Sequence, residues 1–135
     1  MDDALTAMTE TIAGTLMERM HIELVEADAQ RVVGRMPVEG NTQPYGLLHG
    51  GASAVLAETL GSYGAVVHAG AGRIAVGIDL NVTHHRAVTS GVVTGVATPV
   101  HLGSTVATYE VVISDERDRR VATARLTCLL RDART

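Results

Sequence analysis

The spacing of apolar residues predicts a helix followed by two short strands in the first part of the chain. Between Thr6 and Met20 apolar side chains recur every four residues, as expected for one amphipathic helix. Two extended stretches follow, at His21–Glu26 and Gln30–Pro37, and a turn-rich segment over Glu39–Gly46 separates them from the next element. The order predicted here is helix, strand, strand.

A second, longer helix is predicted over Ala52–His68, which consists mostly of alanine, leucine, valine, glycine and serine. At about 100° per residue, its bulky side chains share one face, formed by Ala52, Leu56, Leu60, Tyr63 and Val67. The opposite face carries Glu58 together with the small residues Ala54, Gly61, Ser62 and Ala65. We therefore expect the bulky face to pack on a sheet and the other face to hold a carboxylate among small residues.

After this helix the apolar period becomes two residues, which is typical of strands. The alternation runs over Arg73–Thr83, and three more strand-like stretches follow at Gly91–Val100, Ser104–Ser114 and Arg120–Arg131. Runs of strands after a helix indicate an α+β fold with an antiparallel sheet. A sheet wrapped around the one long helix would bury its apolar side chains, and 135 residues suit a single domain, residues 1–135.

Composition and charge narrow the possible partners. Hydrophobic residues make up 46% and charged residues 19% of the chain, as in an ordinary globular protein. The net charge is -4, and the absence of a basic cluster argues against nucleic acid as a partner. Cys128 is the single cysteine, which excludes an internal disulfide and a cysteine-based metal site. Without a long apolar run or a signal-peptide pattern, we expect no membrane partner and a cytoplasmic location.

Glu58 is the strongest candidate for chemistry in the predicted long helix. It lies in mid-helix, and few other charges are close to it in the sequence. A carboxylate in such surroundings is expected to lose hydration, which is the condition under which it becomes a better general base. The alternative is an ordinary solvated glutamate on a helix surface.

His49-Gly50-Gly51 directly precedes the same helix, and Gln43 comes six residues before His49. Glycines permit close backbone approach, and the first-turn amides of a helix have no intrahelical partner. Such an N-terminus can stabilise the negative charge that develops on a carbonyl oxygen. A tight loop-to-helix turn would use the same two glycines, so the glycines alone favour neither interpretation. Their spacing from Glu58 and Gln43 favours the chemical one.

Four stretches together resemble the hotdog-fold acyl-CoA thioesterases. They are Asn41–Ser53, Leu56–Ser62, Val76–Arg86 and Pro99–Ser104, and the Gln…His-Gly-Gly…Glu spacing in the first two is specific. The likeness is greatest to the branch with the Arthrobacter-type 4-hydroxybenzoyl-CoA thioesterase, the proofreading thioesterase of enterobactin synthesis and the 1,4-dihydroxy-2-naphthoyl-CoA thioesterase. It implies a hotdog fold and hydrolysis of an acyl-CoA with an aromatic or hydroxylated aromatic acyl group. CoA is then part of the substrate, and no separate cofactor is expected.

The resemblance implies a catalytic role for several residues. Glu58 would act as the nucleophile or as the base that activates water, and the sequence leaves both open. The Gly50 N–H would polarise the thioester carbonyl, while Gln43 and His49 would orient the thioester or the water. Ser62, one turn beyond Glu58 on the same helix face, would assist substrate positioning.

Other matching residues would bind the substrate. His84 matches the histidine of the family's Asn-x-Asn-His stretch and would line the acyl pocket or bond the substrate, although Thr83 here replaces the second asparagine. Arg86 would contact the CoA phosphates, for which a guanidinium is suited. Ser104 and Thr105 would contact the nucleotide or pantetheine part of CoA. For each of these three, an ordinary surface or turn residue is the alternative.

The adjacent pair His84 and His85 invites a metal interpretation, which we do not favour. Neighbouring strand residues point to opposite faces, so the pair is not expected to chelate one ion. No metal site is predicted, and His84 is expected to be the one of the two that faces the pocket.

Helix spacing also bears on how many chains build one site. Gly50 and Glu58 are eight residues apart on one helix, so their backbones are about 12 Å apart along its axis. Both are needed at one thioester carbonyl, which indicates that two antiparallel helices of a twofold homodimer supply them. The branch resembled forms homotetramers as dimers of dimers, and the sequence leaves their packing open.

Two other functions are compatible with parts of the pattern. Hotdog-type 3-hydroxyacyl dehydratases also pair a histidine before the helix with a carboxylate on it. Their histidine lies in a loop with prolines, whereas His49 adjoins Gly50-Gly51. A non-catalytic acyl-CoA-binding module would not need Gln43, His49, Glu58 and Ser62 together. Release of CoA from benzoyl-CoA, compared with hydration of crotonyl-CoA, separates the three functions.

Overall fold

The computed structural model describes residues 3–134 and shows in them three helices and one six-stranded sheet. In chain order the elements are α1 (Asp3–Glu10), α2 (Leu16–Arg19), β1 (Glu23–Asp28), β2 (Arg31–Pro37), α3 (Gly50–Ala69), β3 (Arg73–His84), β4 (Val92–Leu102), β5 (Val106–Ser114) and β6 (Arg120–Asp132). The strand order is β1-β2-β4-β5-β6-β3, and every neighbouring pair is antiparallel. Helix α3 contacts all six strands. The predicted α+β class, an antiparallel sheet around one long helix, is confirmed.

The predicted single helix over Thr6–Met20 is wrong, because the chain forms two helices there, α1 and α2. Between them Gly14 has a φ of +77°, a left-handed conformation that suits glycine and does not continue a right-handed helix. The hydroxyls of Thr11 and Thr15 donate to backbone carbonyl oxygens three residues earlier. Leu16 is consequently exposed, so not all of the regularly spaced apolar side chains of this segment pack into the core.

Small residues of α3 face the sheet, which corrects the expectation for this helix. Leu56 and Leu60 are fully buried as predicted, but Gly61 and Ala65, expected on the opposite face, are buried as well. A Cβ at Gly61 would lie 2.8 Å from the Leu126 side chain of β6. At this contact the Leu126 side chain of the sheet therefore fills the space that Gly61 of the helix leaves.

Tyr109 of β5 is the largest fully buried side chain among the described residues. A Cβ at Gly64 of α3 would come within 2.6 Å of its ring, so the ring fills a gap that only glycine leaves. The Tyr109 hydroxyl donates to the carbonyl oxygen of Ala29 in the β1–β2 turn. Burial raises the pKa of Tyr109 to about 12, with smaller contributions from Cys128 and Asp28. Tyr109 thus joins β5 and α3 to the β1–β2 turn.

The long strand β3 forms one edge of the sheet. It pairs with β6 and, within residues 3–134, with no strand on its other side. Two of its large apolar side chains are solvent-accessible: Val76 is 41% exposed and Ile78 is 58% exposed. A long edge strand with apolar residues is a template for pairing with another chain. The fold therefore offers this edge as a place for a further strand.

Candidate active site

Helix α3 begins at Gly50 and is capped by His49. The Nδ1 atom of His49 accepts a hydrogen bond from the Gly51 N–H at 2.8 Å. In a neutral ring the proton is then on Nε2, so the other ring nitrogen of this exposed side chain is a donor. The Gly50 N–H belongs to the first helical turn, where amides lack an intrahelical acceptor. The Gly50 N–H and, in this tautomer, the His49 Nε2–H are thus the donors available at this helix end.

Gln43 is held in the loop before α3 by its own side-chain oxygen. Oε1 accepts from the backbone N–H of Tyr45 at 2.9 Å and from that of Leu47 at 3.4 Å. The Gln43 backbone N–H donates to the Leu47 carbonyl oxygen at 2.9 Å, which closes the same loop. Because Oε1 is occupied, the Nε2 end of the amide is the one available to a ligand.

His84, rather than His85, lies against the start of α3. A Cβ at Gly50 would be 2.9 Å from His84 Nε2, so only glycine lets the ring approach this closely. The Nε2 atom of His85 pairs instead with Thr123 Oγ1 at 2.9 Å. A cavity of about 370 Å³ opens here, and its walls include Gln43, Gly50, Ser53, His84, His85 and Arg86.

Glu58 and Ser62 form a second group further along α3. A Cβ at Gly77 of β3 would be 2.8 Å from Glu58 Oε2, so the carboxylate lies directly against the strand backbone. Burial raises the pKa of the Cys128 thiol, a hydrogen bond with Ser62 lowers it, and the Glu58 carboxylate raises it further. Ser62 thus bonds the buried thiol, and the charge of Glu58 acts on the same group.

The Glu58 carboxylate is exposed in the single chain, so the expected loss of hydration is not met within one chain. Next to it is a cavity of about 330 Å³, whose walls are Met17, Glu58, Thr59, Ser62, Tyr63 and Val66. The Tyr63 hydroxyl is paired with Thr11 Oγ1 at 2.8 Å, which leaves the ring as an apolar wall. No basic side chain is among these walls. The cavity therefore suits an uncharged, apolar group beside a carboxylate.

Within one chain the candidate residues fall into separate groups. The cavity beside Gly50, which includes Arg86, shares no wall residue with the cavity beside Glu58. Eight residues of helix put about 12 Å between the Gly50 and Glu58 backbones. A single chain thus holds the amide donors and the carboxylate apart.

Ser104 and Thr105 form a third group, in the exposed turn between β4 and β5. The carbonyl oxygen of the neighbouring Gly103 is 2.7 Å from Nε2 of His68, which lies in the last turn of α3. Because α3 has 20 residues, this end is about 30 Å from its start. The structure does not bring these two residues near Arg86 of the same chain.

Gly77 belongs to the surroundings of Glu58, although the sequence pattern assigns it no role. An isolated glycine inside a strand is typical of a bulge or of close approach by another group. The structure shows both, because the pairing of β3 with β6 shifts register between Gly77 and Asp79, and the Glu58 carboxylate lies against Gly77. A side chain at position 77 would displace this carboxylate.

The described residues contain no group of three or more His, Cys, Asp or Glu side chains that could hold a metal ion. None of the helices within residues 3–134 is long and apolar enough to cross a membrane. The residues described above offer a ligand a carboxylate, several N–H donors and an apolar cavity.

Comparisons with known proteins agree in one family. Residues 45–122 match the thioesterase superfamily. The proofreading thioesterase EntH of Cronobacter turicensis is 46% identical over 123 residues, which are 90% of this chain and 90% of EntH. The crystal structure of the thioesterase HI1161 from Haemophilus influenzae has a TM-score of 0.91 at 32% identity, and the match covers 95% of this chain and 90% of that one. A glutamine-to-alanine variant of the thioesterase PA1618 from Pseudomonas aeruginosa also has a TM-score of 0.91 at 32% identity, with 96% and 94% covered.

Proposed function

Since this chain belongs to the thioesterase superfamily, has its hotdog fold and is a thioester hydrolase, we propose that its substrates are aromatic or hydroxylated aromatic acyl-CoA thioesters. The observation that carries this proposal is the apolar cavity with Glu58 in its wall. A carboxylate beside a carbon-lined space can attack, or direct water to, a carbonyl whose acyl group fills that space.

In the proposed reaction the Gly50 N–H donates to the thioester carbonyl oxygen and stabilises the charge that develops there. Gln43 Nε2 and His49 Nε2 add donors that orient the thioester or the water. Glu58 either takes a proton from water as the water attacks the carbonyl carbon, or attacks first and forms an anhydride that water then cleaves. In both routes the carbon–sulfur bond breaks, and CoA leaves as a thiolate that takes up a proton.

The separation of the groups leads us to propose that two chains build each site. If two α3 helices run antiparallel across a twofold axis, the Gly50 end of one protomer meets the partner's Glu58. Pairing of two β3 edges would align the helices in this way and would cover Val76 and Ile78. The carboxylate that is exposed in one chain would then lose water at the dimer interface. A tetramer of two such dimers is part of this proposal, and the particle mass in solution tests it.

The same assembly would let CoA contact both chains. Arg86 lies at the Gly50 end of α3, whereas Ser104 and Thr105 lie at its C-terminal end. In an antiparallel pair, the C-terminal end of one helix lies toward the N-terminal end of the other. We propose that Arg86 binds the CoA phosphates and that the partner's Ser104 and the partner's Thr105 contact the nucleotide or pantetheine. His84, which lies against Gly50, would contact the acyl group near the carbonyl.

A screen for thiol release tests the proposed substrate class. We expect the kcat/KM of benzoyl-CoA and hydroxybenzoyl-CoA to exceed that of acetyl-CoA by about 10-fold or more, because a filled apolar cavity discriminates on that scale. A kcat/KM for acetyl-CoA equal to or above those of the aromatic thioesters would contradict the proposed substrate class.

Arg86→Ala should raise KM about 10-fold and change kcat by less than about twofold. The CoA phosphates are remote from the scissile bond, so their binding contributes equally to the ground and transition states. Initial rates with benzoyl-CoA and with the benzoyl thioester of N-acetylcysteamine, which lacks the nucleotide, measure this difference. Arg31→Ala, in β2 next to the edge strand β1, is the matched control and should change neither constant. Equal losses with both substrates would show that Arg86 does not act through the nucleotide.

A further inference from the structure

Asn41 is a buried polar side chain to which the reaction above gives no role. Its Nδ2 group donates both hydrogens, each over 2.9 Å, to the carbonyl oxygens of Met20 and Pro37. Its backbone N–H donates to the Val38 carbonyl oxygen, and its own carbonyl oxygen accepts from the His49 N–H, each also at 2.9 Å. One residue therefore joins the end of the N-terminal helices, the end of β2 and the residue that caps α3.

The segments joined by Asn41 carry walls or donors of both candidate cavities. Met20 follows α2 directly, and Met17 of α2 lines the cavity beside Glu58. Gln43 comes two residues after Asn41, and the His49 backbone is bound to it. A shift at Asn41 would thus move the hydrogen-bond donors of Gln43 and His49. It would also change the placement of the N-terminal segment.

Asn41 itself lines neither of these two cavities, so it does not touch the space proposed for the substrate. Its two acceptors are carbonyl oxygens, which require two donors from one short side chain. Serine supplies one donor and alanine supplies none, and each carbonyl oxygen left unpaired in a buried place costs free energy. The Asn41 amide alone supplies a donor to each of the two carbonyl oxygens.

We propose that Asn41 is a positioning residue for thioester hydrolysis. Its side-chain amide sets the loop from Gln43 to His49 against the N-terminal segment, so that the donors of the loop hold a fixed place on their own chain, from which they act on the thioester. The expected effect of Asn41 on kcat rests on the proposed function, whereas its expected effect on the structure of the loop does not.

Asn41→Ala should lower kcat about 10- to 100-fold, because a displacement of about 1 Å in a donor costs on that order. KM should change by less than about threefold, because Arg86 and the other proposed CoA contacts are untouched. Asn41→Ser keeps one donor and should lie between the wild type and Asn41→Ala. If Asn41→Ala does not fold, Asn41→Ser carries the same measurements. A rise in KM at unchanged kcat would overturn the proposal.

Tyr109→Phe is the matched control, because it also removes a buried hydrogen bond from a side chain to a backbone carbonyl oxygen. It should lower the midpoint of thermal unfolding and leave kcat unchanged. A general loss of stability would instead lower kcat in both variants and would contradict a specific role of Asn41.

A double-mutant cycle with Gln43→Asn, which keeps a side-chain amide and therefore a measurable kcat, decides whether Asn41 acts through the loop. Residues that act as one unit give combined losses in kcat well below the product of the single losses. We expect this result for the Asn41→Ser and Gln43→Asn pair. Losses that multiply would show that Asn41 acts independently of Gln43 and would overturn the inference.

Hydrogen exchange tests the structural part without any substrate. In Asn41→Ala the backbone amides from Gln43 to His49 should exchange about 10-fold faster, while those of β5 and β6 stay protected. Unchanged exchange in the loop would refute the inference. If the wild type releases no CoA from any thioester, the proposed function fails, and the exchange measurement still decides the role of Asn41.

Discussion

Glu58→Gln is expected to lower kcat by about 100-fold or more while the fold and CoA affinity stay nearly intact. Glutamine keeps the shape of the side chain, but its amide can neither take a proton from water nor attack a carbonyl carbon. The proposed CoA contacts, Arg86 with the partner's Ser104 and the partner's Thr105, are unchanged, so KM should move little. Release of CoA from benzoyl-CoA, followed with a thiol reagent, measures the effect.

Glu23→Gln, on the exposed edge strand β1, is the matched control for loss of one carboxylate. It should keep wild-type kcat, and both variants should unfold at nearly the wild-type temperature. Near-wild-type turnover by Glu58→Gln would remove Glu58 from the reaction. Equal losses in the two variants would point to a general effect of charge.

Mixing two inactive variants should restore about a quarter of wild-type activity if each site is shared between chains. Gln43 lies at the start of α3 with Gly50, and the carboxylate would be the partner's Glu58. When Gln43→Ala and Glu58→Gln chains reassociate in equal amounts, about half of the dimers are mixed. One site of each mixed dimer carries both substitutions, and the other carries neither.

The measurement uses two affinity tags, so that mixed dimers are purified and their share of the population is known. Purified mixed dimers should have about half the wild-type activity per dimer, because one of their two sites is intact. Each variant refolded alone serves as the control and should stay inactive. Mixed dimers that are as inactive as their parents would show that Gln43 and Glu58 of the same chain work together.

The long helix and the strands are predictable because local spacing decides them. The observed α3, Gly50–Ala69, closely follows the predicted Ala52–His68, and β3 follows the alternation over Arg73–Thr83. The break between α1 and α2 is not predictable in this way, because Gly14 is tolerated in many helices at modest cost. Its effect depends on the backbone conformation that the surrounding turn adopts.

The orientation of the small residues on α3 also required the structure. On a helical wheel, Gly61 and Ala65 lie opposite the bulky side chains. Because the bulky face was expected to pack on the sheet, these two small residues were expected to lie away from the core. The wheel contains no information about Leu126, which belongs to β6 and fills the space that Gly61 leaves. Packing between elements distant in sequence therefore reversed the expectation.

Gln43, His49 and Glu58 could be proposed from the sequence because they lie on one continuous stretch of chain, whose spacing resembles that of the family. Gly77 and Asn41 are different, since their significance lies in contacts across the fold. The amide of Asn41 reaches Met20, 21 residues earlier in the chain, and Gly77 meets Glu58 from a strand. A sequence pattern shows neither contact.

The three tyrosines lie in three different surroundings, and the chain has neither tryptophan nor phenylalanine. Tyr109 is in the core and Tyr63 is a wall of the apolar cavity. Tyr45 is 86% exposed and lies in the loop before α3, where its backbone N–H donates to Gln43 Oε1. Aromatic absorbance and intrinsic fluorescence therefore come from these rings alone. Because the pKa of Tyr109 is about 12, an alkaline titration separates its signal from that of an ordinary exposed phenol, which ionises at about pH 10. The protein thus carries its own optical probe of the core, and no attached dye is needed to follow it.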